Sequence, residues 1–323
     1  MVCVMVTGGA GYVGSHTCKA LAASGIAPIT FDNLSCGHAE AVLWGSLDIG
    51  DILNADALRR SFQEHQPVAV LHFAASAYVG ESLHDPSKYY RNNVVGTHHV
   101  LEAARETGVG IFVFSSSCAT YGLAEDLPIR ETMPQRPINP YGRTKLMCEQ
   151  MLADYSASYG MRYVSLRYFN AAGADPEGEI GEWHHPETHL IPRALLAAAG
   201  RLDHLEIFGD DHPTADGTCI RGFVHVTDLA DAHVGAVRYL LDGGSSLAAN
   251  LGTGHGTSIR EVVETVKAVT GLNVPIVIRP RRGGDPPTLL ADASLAVNRL
   301  GFAPRLSDIS TIVETAAPFF FRA

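Results

Sequence analysis

Tyr141 and Lys145 stand four residues apart in Asn139-Pro-Tyr-Gly-Arg-Thr-Lys145. The stretch reads as a helix start, with Asn139 as N-cap and Pro140 at the first helical position. At this spacing a phenol and an ammonium lie on one face of the helix. A free tyrosine titrates near ~10, so only about one in a thousand is ionised at pH 7. Lowering that value by roughly three units takes ~4 kcal/mol, which neighbouring positive charge can supply. The result is a general base working near neutrality. Ser115-Ser116-Ser117 ends the preceding strand and offers Ser117 as a hydroxyl beside the substrate oxygen.

A second cluster says what the other reactant is. Thr7-Gly-Gly-Ala-Gly-Tyr-Val-Gly14 lies between an apolar run and a helical pattern, with Gly8, Gly11 and Gly14 on a G-x-x-G-x-x-G spacing. Glycines there allow a tight turn and let backbone N–H groups approach a pyrophosphate at a helix N-terminus, where the helix dipole favours anions. Tyr12 and Val13 belong to the same turn. Asp32, 18 residues beyond Gly14 and followed by Asn33, can accept hydrogen bonds from adenosine ribose hydroxyls. A carboxylate there repels a 2′-phosphate, so NAD is expected rather than NADP. Leu47-Asp48-Ile49 reads as a second loop, with Asp48 available to the adenine amino group. A bound nicotinamide cation would join Lys145 in stabilising the Tyr141 phenolate.

These residues need a scaffold, and the apolar pattern supplies it. Strands are expected at Val2–Val6, Ala27–Phe31, Val68–Phe73, Ile111–Ser115 and Tyr163–Tyr168. Helices are expected at Gly14–Ser24, Ala55–His65, Pro86–Thr107 and Pro140–Tyr159. Alternation at this spacing means βαβ units, hence a Rossmann-type doubly wound parallel sheet in an α/β fold. After about residue 170 the regularity fades into a smaller mixed α/β C-terminal lobe. A loop at 175–187 precedes helices at Ile191–Ala199, Val226–Leu241 and Ile259–Thr270. Strands are expected near Leu205–Phe208 and Pro275–Arg279, and Asn250-Leu-Gly252 returns to the sheet. The division expected is 1–170 for the dinucleotide and 171–323 for the substrate.

Composition narrows the partners. The chain has 323 residues, 46% of them hydrophobic, with 24 basic against 34 acidic residues and a net charge of −10. A nucleic-acid or anionic-membrane surface needs a basic field and is not expected. No apolar run approaches the ~18 residues of a membrane span, and the first residues carry no basic signal region. A cytoplasmic protein is expected. Six cysteines without a C-x-x-C pair read as reduced, mostly buried thiols. Fifteen histidines include the adjacent pairs His98-His99 and His184-His185 but no H-E-x-x-H. No metal is expected from that pattern.

Taken together the residues resemble the extended short-chain dehydrogenase/reductase superfamily and, within it, the NAD-dependent epimerase/dehydratase family. Besides the two clusters above, the resemblance includes Phe31-Asp-Asn-Leu34, His72-Phe-Ala74, Val79-Gly-Glu-Ser82, Asn92-Asn-Val94, Tyr121-Gly122, Arg167-Tyr-Phe-Asn170, Asp216-Gly-Thr218 and Asn250-Leu-Gly252. It implies tightly held NAD, recycled within each turnover, and reversible C4 epimerisation of UDP-glucose and UDP-galactose through a 4-keto sugar. Tyr141 would take the C4 hydroxyl proton, Ser117 would bind the same oxygen, and Lys145 would bind the nicotinamide ribose. Phe73, Ala74, Ala75, Asn93 and Phe169 would line the cofactor. Asn170, Arg221 and Arg282 match positions facing the diphosphate, where guanidinium forks suit phosphate oxygens. Ile207 and Phe208 match a uracil-facing strand, His189 and Leu190 a turn near ribose and phosphate, and Asp285 a ribose contact. The family's paired helices imply a homodimer.

Three positions depart from the pattern. Ala77 stands where many members carry lysine, Gly222 follows Arg221 in place of aspartate, and Leu289 replaces a tyrosine that limits sugar size. They leave open 4-epimerisation of UDP-xylose and UDP-arabinose, or of UDP-N-acetylglucosamine. A non-catalytic NAD-binding module is the alternative of another class. A 4,6-dehydratase would need an acid pair beside Ser117, which Cys118-Ala119 does not provide.

Overall fold

The computed structural model describes residues 2–124, 126–282 and 286–321. In the first half, strands β1 (Cys3–Thr7), β2 (Ala27–Asp32), β3 (Ser46–Ile49), β4 (Ala69–His72), β5 (Ile111–Ser115) and β6 (Arg162–Arg167) are joined by helices. These are α1 (Tyr12–Ala23), α2 (Ala55–His65), α3 (Val79–His84), α4 (Pro86–Tyr89), α5 (Gly96–Glu106) and α6 (Pro140–Tyr159). The second half contributes β7 (Asn170–Ala172), α7 (Leu190–Ala198), β8 (Leu205–Phe208), β9 (Ile220–Arg221), β10 (Phe223–His225) and α8 (Val226–Leu241). It ends with β11 (Leu247–Asn250), β12 (Thr257–Ser258), α9 (Ile259–Thr270), β13 (Ile276–Arg279), β14 (Thr288–Leu289), α10 (Ser294–Leu300) and α11 (Ile309–Phe321).

The main sheet has seven strands in the order β3-β2-β1-β4-β5-β6-β11, every neighbour parallel. Val4, Met5 and Val6 are fully buried because helices cover both faces. On one face Val4, Val6, Leu71 and Val113 pack with Leu21 of α1 and Leu229 and Val237 of α8. On the other, Met5, Phe31, Val70 and Phe112 meet Leu58 and Phe62 of α2, Leu101 of α5 and Leu152 of α6. Each such apolar side chain contributes ~1.5–3 kcal/mol on burial. A third core lies in the C-terminal lobe, where Ile191 and Leu195 of α7 meet Val262 and Val266 of α9 and Ile312 of α11. The chain reverses its direction of strand addition between β1 and β4, which opens the crevice where such sheets bind ligands.

Two expectations need correction. The helix expected at Pro86–Thr107 is broken, with Tyr90–Val95 forming a π-helical turn between α4 and α5. The wider turn directs Asn93 inward, where its carboxamide bonds the Ser76 backbone on both sides (2.8 and 3.0 Å) and the Thr144 hydroxyl (3.0 Å). The loop expected around Asp48 is the edge strand β3, paired with β2 through Thr30–Leu47 and Phe31–Asp48. β11, beyond residue 170, is the seventh strand of the sheet. No helix of the described residues is long and apolar enough to cross a membrane.

Candidate active site

The turn after β1 is tight for a steric reason. Gly8 has φ +76°, and a Cβ there would lie 2.5 Å from the backbone nitrogen of Ala74, in the loop after β4. A Cβ on Gly14 would lie 2.1 Å from the Gly8 carbonyl oxygen. Glycine therefore lets α1 begin directly over the crevice between β1 and β4. Gly11 holds the N-cap position of α1 with no side chain over the helix end. Tyr12 is half-buried and donates to the Gly173 carbonyl (2.6 Å), while Val13 packs on the sheet core. Asp32, buried at the end of β2, accepts from the N–H groups of Ala10 (3.0 Å) and Leu34 (2.9 Å). Burial raises its pKa and these bonds oppose the rise. The cradle that Gly8 and Gly14 keep free of Cβ atoms, with a fixed carboxylate beside it, fits a dinucleotide diphosphate and its ribose.

Neighbouring residues are differently placed. Asn33 accepts from Ser35 N–H and donates to Asp51. Asp48 faces α2, accepting from Ser61 (2.5 Å) and lying 3.0 Å from the His65 ring nitrogen, while Ile49 stays exposed at the sheet edge. Phe73 and Ala74 follow β4, and the N–H groups of both donate to the Thr7 carbonyl. Ala75 is half-buried beside them. Asn93 touches this segment from behind, so its polar atoms secure the loop.

Ser117, Tyr141 and Lys145 converge at the ends of β5 and α6. Asn139 caps α6 by accepting from Gly142 N–H (2.8 Å), and Pro140 occupies the first turn. Ser117 caps the short turn Cys118–Thr120 by accepting from Ala119 N–H (3.1 Å), and its hydroxyl stands beside the Tyr141 phenol and favours its ionisation. A Cβ on Gly142 would lie 2.5 Å from the Ala119 carbonyl, so the two caps meet only because Gly142 lacks one. Lys145 is buried, donates to the Ser115 carbonyl (2.7 Å), and holds its ammonium 5.8 Å from the Tyr141 ring centroid. Burial pushes Tyr141 up to about 12, opposed by the neighbouring Ser117 hydroxyl. Burial lowers Lys145 to about 8.

The C-terminal lobe brings further sequence-selected residues to strand ends. Asn170, at the start of β7, donates to the Gly222 carbonyl (2.9 Å), and Gly222 N–H donates to Leu289 of β14 (2.9 Å). Arg221 donates to the carbonyls of Ile220 and Pro286, both at 2.9 Å. These bonds secure Arg221 although Gly222 has replaced the aspartate. Arg282 lays its guanidinium 3.7 Å from the Phe208 ring centroid, whereas Ile207 is buried. Leu289 and Phe169 pack with Cys118, Tyr121, Ile129 and Ala291 beside the serine turn. Leu190 opens α7, and His189, its N-cap residue, is occupied with Glu182 and Glu187. Asp285 lies outside the described residues. Ala77 is exposed in the loop after β4.

Sequence reasoning passed over two clusters. Glu149 and Arg167 form a buried pair (2.5 and 2.9 Å) that also receives the Ser116 hydroxyl (2.5 Å), while Arg167 donates to Tyr121 (2.7 Å). Glu149 follows Tyr141 and Lys145 at the same four-residue step, a signal available in the sequence. The second cluster comprises Glu182, His184, Glu187 and His189.

Fold and cleft together define the class, a Rossmann-type dinucleotide-binding protein of the short-chain dehydrogenase/reductase kind. Residues 4–252 match the NAD dependent epimerase/dehydratase family, and the chain belongs to that family. The UDP-glucose 4-epimerase of Rhizobium meliloti (strain 1021) is 53% identical over 313 residues, covering 97% of this chain and 95% of that protein. The UDP-glucose 4-epimerase from Brucella ovis, solved in complex with NAD, superposes with TM-score 0.98 at 60% identity, covering 99% of both chains. The UDP-glucose 4-epimerase from Stenotrophomonas maltophila, with bound NAD and formylated UDP-arabinopyranose, gives TM-score 0.96 at 40% identity, covering 99% of this chain and 98% of that one.

Proposed function

We propose that the chain interconverts UDP-glucose and UDP-galactose by inverting C4 through a 4-keto sugar, using tightly held NAD. The observation that carries this is the convergence of Ser117, Tyr141 and Lys145, with the Lys145 ammonium 5.8 Å from the Tyr141 ring centroid, in a fold whose glycine turn after β1 fits a dinucleotide. Gly8, Gly11, Gly14 and Asp32 would hold the dinucleotide, and Lys145 its nicotinamide ribose. When bound, NAD supplies a hydride acceptor that can return the hydride to either face of the sugar. Tyr141 accepts the C4 hydroxyl proton and gives it back, which requires positive charge beside a phenol that burial holds at about 12. Ser117 donates to the same oxygen as it becomes a carbonyl. Inversion requires the keto sugar to turn while the nucleotide stays fixed. Asn170, Arg221 and Arg282 would grip the diphosphate, with Phe208 near the base.

Residues 1–170 would thus serve the cofactor and 171–323 the UDP-sugar. A homodimer through α5 and α6 is favoured by the exposed apolar side chains Val95 and Met147, on or beside those helices. Sedimentation as a monomer at micromolar concentration would reject it. The deciding experiment is proton NMR of UDP-galactose with purified protein and no added NAD. A UDP-glucose anomeric signal is expected. No change, even with NAD added, would overturn the assignment, and parallel runs with UDP-xylose and UDP-N-acetylglucosamine define the sugar.

A further inference from the structure

The segment between β7 and α7 gathers two carboxylates and two imidazoles around one point. Glu182, His184, Glu187 and His189 each turn one potential ligand atom inward, all four within 4.8 Å of one another. Nδ1 of His184 lies 3.1 Å from a Glu182 oxygen and 3.8 Å from a Glu187 oxygen. Nδ1 of His189 lies 2.6 and 3.4 Å from oxygens of the same two residues. Zinc bound tetrahedrally to nitrogen and oxygen at ~2.05 Å requires donor–donor edges of about 3.3 Å. The distances present bracket that value before any ion draws the donors in.

Two further features separate this cluster from an ordinary ion-pair network. Glu187 Oε2 is buried without a hydrogen-bond partner among the described residues, although its side chain is only 9% exposed. Nearby acidic residues show the contrast, since Asp175, Glu177 and Glu179 already share the ammonium of Lys19 at 2.6–2.8 Å. Two carboxylates balance the charge of a divalent ion. Two imidazoles make the set suit zinc better than magnesium or calcium, which prefer oxygen alone.

We propose that Glu182, His184, Glu187 and His189 form a four-coordinate zinc site that fastens the 182–189 segment across the dinucleotide cleft. Four protein ligands leave no open position, which makes the site structural, not catalytic. Its surroundings say what it fastens. The His184 ring stands 6.0 Å from that of Tyr12 in the glycine turn and 6.1 Å from that of Tyr78 after β4. Trp183 stacks on His38 at 4.1 Å, and His189 is the N-cap residue of α7. One ion would therefore tie both loops of the cofactor crevice to the first helix of the substrate lobe.

The test is metal content of the full-length chain, purified as it comes with its own NAD, exposed to one equivalent of zinc and desalted. About one zinc per chain is expected by elemental analysis, falling at least tenfold in His184→Ala and in Glu187→Gln. EDTA should lower the melting temperature of the parent chain and leave that of His184→Ala unmoved. Should His184→Ala fail to fold, Glu187→Gln and the EDTA shift on the parent chain decide. Cobalt in place of zinc should give the intense visible absorption of a tetrahedral ion. A parent chain that retains less than about a tenth of an equivalent, or a Glu187→Gln chain that keeps full zinc, would overturn the site.

Discussion

Gly142→Ala adds one methyl group at the contact that joins the two caps of the site. The new Cβ would stand 2.5 Å from the Ala119 carbonyl oxygen and 3.0 Å from Pro137 Cβ. Carbon and carbonyl oxygen settle no closer than roughly 3.3 Å, so the helix start and the serine turn must separate by about 0.8 Å. Ala119 N–H is held by Ser117, so the displacement passes to the hydroxyl beside Tyr141. Losing one hydrogen bond from that hydroxyl to the substrate oxygen would be worth ~1 kcal/mol, about fivefold in rate, and misplacement approaching 1 Å can cost ~100-fold. A fall in kcat of roughly 30-fold is expected, with little change in KM because the nucleotide-facing residues lie elsewhere. Stability should change less. Alanine is favoured over glycine by ~1 kcal/mol in a helix, against ~1–3 kcal/mol for the crowding. The assay is UDP-glucose formation from UDP-galactose, coupled to UDP-glucose dehydrogenase, with Arg143→Ala as an exposed control on the same turn. A kcat within threefold of the parent would refute the reasoning. So would a fall that merely tracks a collapse in melting temperature.

Tyr141→Phe keeps the ring and removes the proton acceptor, so kcat should drop ~10²–10⁴-fold while bound NAD stays visible by absorbance. More than a tenth of the activity remaining would count against Tyr141. Burial lowers His16, His225 and His233 to about 4 and His72 to about 3, so between pH 6.5 and 4 the unfolded chain binds more protons and stability must fall as pH falls. Urea denaturation from pH 7 to 4 checks this, and His233→Gln should remove about one proton from the dependence. An unchanged slope would show that His233 does not bind that proton on unfolding. Arg282→Ala, losing the stack on Phe208 and the proposed phosphate fork, should raise KM about tenfold with kcat within threefold. An unchanged KM would place Arg282 outside the substrate site.

What could be read in advance follows from the range of the forces involved. Helices α2, α6, α8 and α9 lie at the limits their sequences announce. In α2, α6 and α9 the stops are local, with Asn54, Asn139 and Ser258 as N-caps and glycines after α6 and α9. β3 escaped notice because a four-residue edge strand owes its existence to pairing with β2, which no local pattern encodes. The π-helical turn escaped for a related reason. Its register is set by Asn93 reaching Ser76 and Thr144, residues 17 and 51 positions away. The candidate site divides in the same way. Tyr141 and Lys145 share a helix face and Gly8, Gly11 and Gly14 a turn, so spacing alone brings them together. The steps from Glu182 to His184, Glu187 and His189 have no helical or strand period, and only the path of the loop across Tyr12 and Tyr78 makes them neighbours. The chemistry that repeats along one element is legible in the chain. The chemistry that depends on where a loop crosses another element is legible only once both are in place.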